Sequence, residues 1–141
     1  MPAIANLQYS IIAEHVNSAT NNTSALTVAQ GSTVNINRVL FAGNTNDTNL
    51  NNRPIAVGTI TWMSTVLNAN SAQFVAPGAP AYDYHLASNS PAINQAQGSS
   101  ATNDIDGDTR PIGSSPDIGA DEARISAPGA SFYSYLPFAR K

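Results

Sequence analysis

The acidic side chains have the clearest capacity for chemistry in this sequence. Six of its nine Asp and Glu residues fall between Asp104 and Glu122. Asp104, Asp106 and Asp108 alternate along the chain, so an extended segment places all three carboxylates on one face. Three neighbouring negative charges repel one another, and Ca²⁺, which prefers oxygen ligands, would relieve that repulsion. The spacing therefore predicts a calcium site formed by Asp104, Asp106 and Asp108.

The same residues allow an interpretation that needs no ion. Asp106-Gly107 is a typical turn sequence, and Arg110 lies close enough along the chain to pair with Asp104 or Asp106. An EF-hand does not fit, because a loop with Gly107 at its sixth position has Gly113 where the bidentate Glu must stand. The calcium site and the ion-free turn both stay open at the level of sequence.

Residues that could catalyse a reaction are few and separated. A glycoside hydrolase needs two carboxylates about 5–9.5 Å apart, and the part of the chain from Met1 to Phe74 contains only Glu14 and Asp47. His15 and His85 are isolated, and His85 is expected to pack beside Leu86. No nucleophile motif is present. We therefore predict that the chain is not an enzyme and has no catalytic residues and, calcium apart, no cofactor.

The composition limits the elements that can position these side chains. Asn, Ser and Thr supply 42 of the 141 residues, and only 11% are charged, compared with about 25% in typical soluble domains. One Lys and two Glu leave the chain poor in helix formers, which excludes a helical bundle. The low Lys content and the many Asn, Ser and Thr residues favour a secreted or cell-surface protein.

Charge and hydropathy exclude further classes of protein. The net charge is −3, with Arg and Lys scattered, so no basic surface for nucleic acid is expected. No apolar run reaches the roughly 20 residues that span a bilayer. The chain has no Cys, which excludes disulfides and thiolate metal sites.

Three stretches in the first half of the chain are similar, namely 6–15, 35–44 and 61–70. Short apolar runs divided by Asn- and Thr-rich turns, which recur at a nearly constant spacing, predict a solenoid of stacked strands, with a β-sandwich as the alternative. Corresponding positions then lie over one another: Leu7, Ile36 and Trp62 in one stack, Ile11, Leu40 and Val66 in a second, and Asn44 over Asn70 as an Asn ladder.

The repeats and the acidic region also resemble a known family. Ser10-Ile11-Ile12-Ala13 and Val39-Leu40-Phe41-Ala42-Gly43-Asn44 resemble coils of right-handed parallel β-helix proteins of the pectate-lyase-like superfamily. Residues 83–122 resemble the terminal segment of bacterial secreted members, which usually have Asp at the position of Asn94. The motifs are Asp83-Tyr84-His85-Leu86, Ser90-Pro91-Ala92-Ile93-Asn94, Asp104-Ile105-Asp106-Gly107 and Asp117-Ile118-Gly119-Ala120-Asp121-Glu122.

The resemblance implies an all-β fold, a short right-handed parallel β-helix of about three coils with an irregular C-terminal cap. We predict β-helix coils in residues 1–75, a capping segment in residues 76–122, and a linker with an aromatic and basic tail in residues 123–141. The tail resembles a sorting or anchor tail, with a strand that covers an open end as the alternative. The predicted core comprises Leu7, Ile11, Leu26, Val28, Ile36, Leu40, Phe41, Val57, Ile60, Trp62, Val66 and Leu67.

The expected function is structural or adhesive and non-catalytic. The chain is predicted to be the C-terminal portion of a longer secreted or surface-displayed β-helix. Its first coil is predicted to stack end-on, either against another copy of the chain, which would form filaments, or against upstream coils of the same protein. One alternative is a fragment of a polysaccharide lyase or glycoside hydrolase. The other is a carbohydrate-binding module in which Trp62, Tyr82 and Tyr84 stack on a surface polysaccharide.

Overall fold

The computed structural model describes residues 2–16, 24–45, 47–48 and 57–124. These residues form an all-β structure without a helix, as the composition predicts. Most of the predicted linker and tail, from residue 125 to residue 141, lies outside the described residues. The eight strands are β1 (Ile4–Gln8), β2 (Ile11–Ala13), β3 (Thr33–Asn37), β4 (Leu40–Ala42), β5 (Thr59–Trp62), β6 (Leu67–Ala69), β7 (Phe74–Ala76) and β8 (Asp83–Leu86).

Strands β1 to β6 form two parallel three-stranded sheets. The first sheet has the order β1-β3-β5 and the second has the order β2-β4-β6, so the chain alternates between the sheets. We call β1–β2, β3–β4 and β5–β6 the first, second and third repeats. Ile36 pairs with Leu7 on one side and with Trp62 on the other, as the sequence alignment predicts. The parallel pairing excludes an antiparallel β-sandwich for these six strands.

The register of the third repeat differs from the prediction. Ile36 pairs with Trp62 in the first sheet, whereas Leu40 pairs with Leu67 in the second sheet. Trp62 and Leu67 are five positions apart, whereas their partners Ile36 and Leu40 are four apart, so the third repeat has one additional residue between its paired positions. The predicted match of Leu40 with Val66 is wrong, although Val66 still packs against the cluster of Ile36, Val39 and Phe41.

The buried side chains form two cores on opposite faces of the second sheet. Ile36, Val39 and Phe41 form the core between the two sheets. Because neighbouring residues of a strand point to opposite faces, Leu40 and Ala42 point away from this core and pack against the C-terminal part of the chain. All of β4 is buried, which is typical of a parallel strand covered on both faces.

Residues 87–124 form no strand and lie along the outer face of the second sheet. The backbone amide of Gly119 donates to the carbonyl of Tyr9 at the corner of the first repeat, at 3.1 Å. The Arg38 guanidinium of the second repeat donates to the Gln95 carbonyl at 3.2 Å, and the Ser90 hydroxyl donates to the Ala72 carbonyl, just after the third repeat, at 2.7 Å. This segment therefore contacts all three repeats.

Two further details correct the predicted stacks. Trp62, predicted to lie in the core, is 52% exposed, because β5 is the last strand of its sheet. The Asn44 side chain bonds the first repeat and not Asn70: it donates to the Ile12 carbonyl at 2.9 Å and accepts from the amide of His15 at 3.0 Å. An Asn ladder occurs elsewhere, where Asn35 donates to Asn6 at 2.9 Å.

Two isoleucines in neighbouring strands test how burial determines stability. Ile36 is fully buried, whereas Ile4 is 76% exposed. We expect Ile36→Ala to lower the free energy of unfolding by about 2–5 kcal/mol, because it leaves a cavity between the sheets. The matched control Ile4→Ala should change it by no more than about 0.5 kcal/mol. Urea unfolding followed by circular dichroism measures both, and equal losses would contradict the assignment of the core.

Candidate functional site

The hairpin of β7 and β8 positions the first side chains of the site. The two strands pair antiparallel, with Phe74 opposite Leu86. Asp83 and His85 are separated by a single residue in β8 and therefore lie on the same face of the strand. The Tyr84 ring points to the other face and contacts the Phe74 ring edge-on, with ring centroids 5.5 Å apart.

The three predicted calcium ligands come together in a tight turn. One carboxylate oxygen each of Asp104, Asp106 and Asp108 lies within 4.8 Å of the others. Gly107, with a φ of +86°, closes the turn, and its amide donates to the Asp104 carbonyl at 3.2 Å. The Asp104 carboxylate accepts hydrogen bonds from the amides of Asp106 at 2.9 Å and Asp108 at 2.8 Å, and from the Glu122 amide at 3.2 Å.

Each of the three carboxylates has its own partner within the chain. Burial raises the pKa of Asp104, but the hydrogen bonds from three backbone amides together outweigh it, so this pKa lies below its ordinary value. Asp108 pairs with the Arg124 guanidinium. Asp106 lies 3.0 Å from the imidazole Nε2 of His85. Each carboxylate therefore has a partner that does not require an ion, and the calcium site stays a prediction.

Arg110 does not pair with Asp104 or Asp106, so that part of the ion-free interpretation is wrong. Its Nε donates to Oε1 of Glu122 at 2.8 Å, and the two side chains are 5% and 1% exposed. The same guanidinium donates to the carbonyls of Gly119, at 3.1 Å, and Asp117. Arg110 thus forms a buried ion pair with a carboxylate that lies well beyond the acidic turn in the sequence.

The other buried carboxylates accept hydrogen bonds from the backbone. Glu122 accepts from the amides of Asp117 at 2.6 Å and Ile112 at 3.0 Å. Asp117 accepts from the amides of Asn94 at 2.6 Å and Ala123 at 2.8 Å. Burial raises the pKa of Asp117 above its ordinary value, against the opposing effect of these hydrogen bonds.

His85, expected to be isolated, lies among three carboxylates. Its Nδ1 is 2.6 Å from Asp83 and its Nε2 is 3.0 Å from Asp106. The contacts with the carboxylates of Asp83 and Asp106 raise the pKa of His85. Asp121 is the third carboxylate, and it accepts from the amide of Leu86 at 2.6 Å. The spacing of Asp83 and His85 along a strand could have indicated their contact, whereas nothing in the sequence indicates Asp121.

A groove of about 860 Å³ adjoins this group of side chains. Tyr9, Tyr82 and Tyr84 line it together with Asp83 and His85, and Tyr82 and Tyr84 are largely exposed. The predicted sugar-binding platform of Trp62, Tyr82 and Tyr84 is therefore only partly assembled, because Trp62 does not line the groove. The described residues that line the groove thus include both aromatic rings and ionisable side chains.

Comparison with protein-family models, with curated proteins and with solved structures finds no match to this chain. Within the part of the chain that the structure describes, no helix has the length and hydrophobicity needed to cross a membrane.

Two arginines distinguish the buried ion pair from the exposed one. Arg110→Ala should lower the free energy of unfolding by about 3–5 kcal/mol, because it leaves the Glu122 carboxylate buried without its cation. The Arg124 side chain is 73% exposed, so Arg124→Ala, which breaks the pair with Asp108, should have little effect. Thermal and urea unfolding of both variants provide the measurement. A loss in Arg124→Ala as large as that in Arg110→Ala would contradict this ranking.

Proposed function

We propose that this chain is a non-catalytic structural module that acts by stacking coils, as part of a right-handed parallel β-helix outside the cell. The observation that carries the proposal is the repeated parallel pairing of β1-β3-β5 and β2-β4-β6, in which each repeat contributes one strand to each sheet. Parallel strands that recur in register at a nearly constant spacing are typical of solenoids, where each repeat contacts only its neighbours.

Two local features support a continuous coil path. Tyr9 and Arg38 occupy the same corner of the first and second repeats, and both have a left-handed backbone, with φ values of 50° and 52°. Leu26 forms a parallel bridge with Thr48, which provides a third side of parallel contact next to the two sheets. Both features are expected if the chain winds repeatedly in one direction.

The resemblance of residues 83–122 to the terminal segment of bacterial secreted β-helix proteins supports placing this chain at the C-terminal end of such a protein. The composition, rich in Asn, Ser and Thr and poor in Lys, supports export to the cell surface or medium. In this proposal, the upstream coils of the same protein, or a second copy of the chain, stack on the first repeat.

The edge of β1 supports stacking as the mode of association. Among the described residues, β1 pairs only with β3. Thr33 donates to the carbonyl of Ala3 and Tyr9 donates to that of Asn37. Because alternate residues of a parallel strand bond to opposite sides, the amides and carbonyls of Ile4, Asn6 and Gln8 point away from β3. An edge of this kind accepts another strand.

At the opposite end, β5 is the outermost strand of the first sheet. Trp62 and Met63 are exposed there. The two edges belong to different strands, so a contact between them is heterologous and generates open-ended assemblies. End-on stacking would cover the exposed apolar side chains and pair the edge amides in one step.

Proline substitutions at the outward-facing positions of β1 test this mode of association. We expect the wild-type chain to form oligomers whose mass rises with protein concentration. The double variant Ile4→Pro/Gln8→Pro removes two outward amides without removing a bond to β3, so it should remain monomeric. Sedimentation velocity and light scattering measure the mass.

The control for this test is the double variant Ile4→Ala/Gln8→Ala, which removes the same side chains and keeps both amides. It should still associate. A wild-type chain that stays monomeric at high concentration would contradict end-on stacking, as would equal loss of association in the two double variants. Circular dichroism establishes that each variant is folded.

The groove favours a second candidate function, the binding of a surface polysaccharide. Exposed tyrosine rings next to carboxylates can stack on a sugar ring and bond its hydroxyl groups. We expect Tyr82→Ala to weaken the binding of a soluble neutral glucan about fivefold or more, which corresponds to about 1 kcal/mol. Affinity electrophoresis measures this change. Trp62→Ala, which removes an exposed aromatic ring outside the groove, is the control, and an equal effect of both substitutions would contradict a sugar site in the groove.

A further inference from the structure

Three potential metal ligands converge from separate parts of the chain. His85 lies in β8 and Asp106 lies in the turn at Gly107. Asp121 lies near the end of the irregular segment 87–124, which contains this turn. One ligand atom of each lies within 4.8 Å of the others. In a tetrahedral site with metal–ligand bonds of about 2.1 Å, ligand atoms are about 3.4 Å apart. The group is therefore close to a metal-binding arrangement.

Asp83 holds the imidazole in the orientation that a metal ion requires. A carboxylate only accepts hydrogen bonds, so the 2.6 Å contact between Asp83 and His85 places the proton on Nδ1. Asp106 lies 3.0 Å from Nε2, and a metal ion that binds Nε2 would release any proton held there. Histidines that bind metal ions through one nitrogen usually donate the other N–H to a carboxylate or carbonyl, which fixes the ring.

Asp121 supplies a fixed ligand, and the site has room for an ion. Asp121 is buried, and its Oδ2 accepts from the amide of Leu86 at 2.6 Å, which leaves Oδ1 for a ligand. A cavity of about 240 Å³ is lined by His85, Asp106 and Asp121, and the tyrosine-lined groove adjoins the same His85 and Asp121. An ion can therefore enter the site from solvent.

We propose that His85, Asp106 and Asp121 bind a divalent first-row transition-metal ion of the zinc class, with Asp83 as the residue that positions His85. An imidazole ligand distinguishes this group from the oxygen-only cluster of Asp104, Asp106 and Asp108, because imidazole suits zinc-like ions and carboxylates alone suit Ca²⁺. Three protein ligands leave one coordination position for water or for a ligand in the groove. The ligands lie outside both parallel sheets, so the site does not depend on the proposed coil stacking.

Zinc titration of the chain after removal of bound metal tests the proposal. We expect one Zn²⁺ per chain by calorimetry, together with a rise in Tm, since an ion that binds only the folded state stabilises it. His85→Gln should abolish both effects. Asp83→Asn should weaken binding by about 10–100-fold at unchanged stoichiometry, because the imidazole loses its orienting carboxylate. Co²⁺ as a probe should give visible absorption bands that change position in Asp83→Asn.

The chain contains a matched control, because His15 is its other histidine. His15→Gln should leave zinc affinity unchanged. The proposal is overturned if His85→Gln binds zinc like the wild type, or if His15→Gln weakens binding equally. It is also overturned if Ca²⁺ binds in place of Zn²⁺ with a requirement for Asp104 and Asp108 and not for His85, which would support the calcium site predicted from the sequence.

Discussion

The need to pair every buried backbone amide determines how this chain is built. In β1 to β6 the amides that face a neighbouring strand are paired by parallel ladders between repeats. Residues 87–124 have no strand, yet part of this stretch is buried. There, the carboxylates of Asp104, Asp117, Asp121 and Glu122 accept hydrogen bonds from backbone amides, some of them distant in sequence. An unpaired buried amide is costly, so these four side chains, together with backbone carbonyls, take the place of the missing ladder.

This arrangement also explains the concentration of acidic residues near the C-terminus. The sequence alone presents them as a cluster of charges, whose natural interpretation is a cation site. In the structure, most of them have structural partners: Arg110 neutralises Glu122, Arg124 neutralises Asp108, and amides surround Asp104. Asp106 and Asp121 also lie near His85, beside a cavity that all three side chains line.

The structural features that depend on the periodicity of the sequence are predicted well. The all-β class and the parallel partners Leu7, Ile36 and Trp62 follow from repeated apolar positions, because stacking places equal positions over one another. The register of the second sheet is missed, because Val66 and Leu67 are both apolar and the pattern cannot show which one follows the inserted residue. The partners of Arg110 and His85 are missed for a different reason. Folding of an irregular segment determines them, and no local spacing encodes a contact between His85 and Asp121.

The lateral position of residues 87–124 has a mechanical consequence. Their hydrogen bonds to Tyr9 and Arg38 and their packing against Leu67 and Ala69 join all three repeats across two strand spacings, a distance of about 10 Å. A force along the stacking axis that pulls the first repeat from the third must therefore break these bonds and the outer core, and not the ladders alone. The segment and the sheets therefore resist separation of the repeats together.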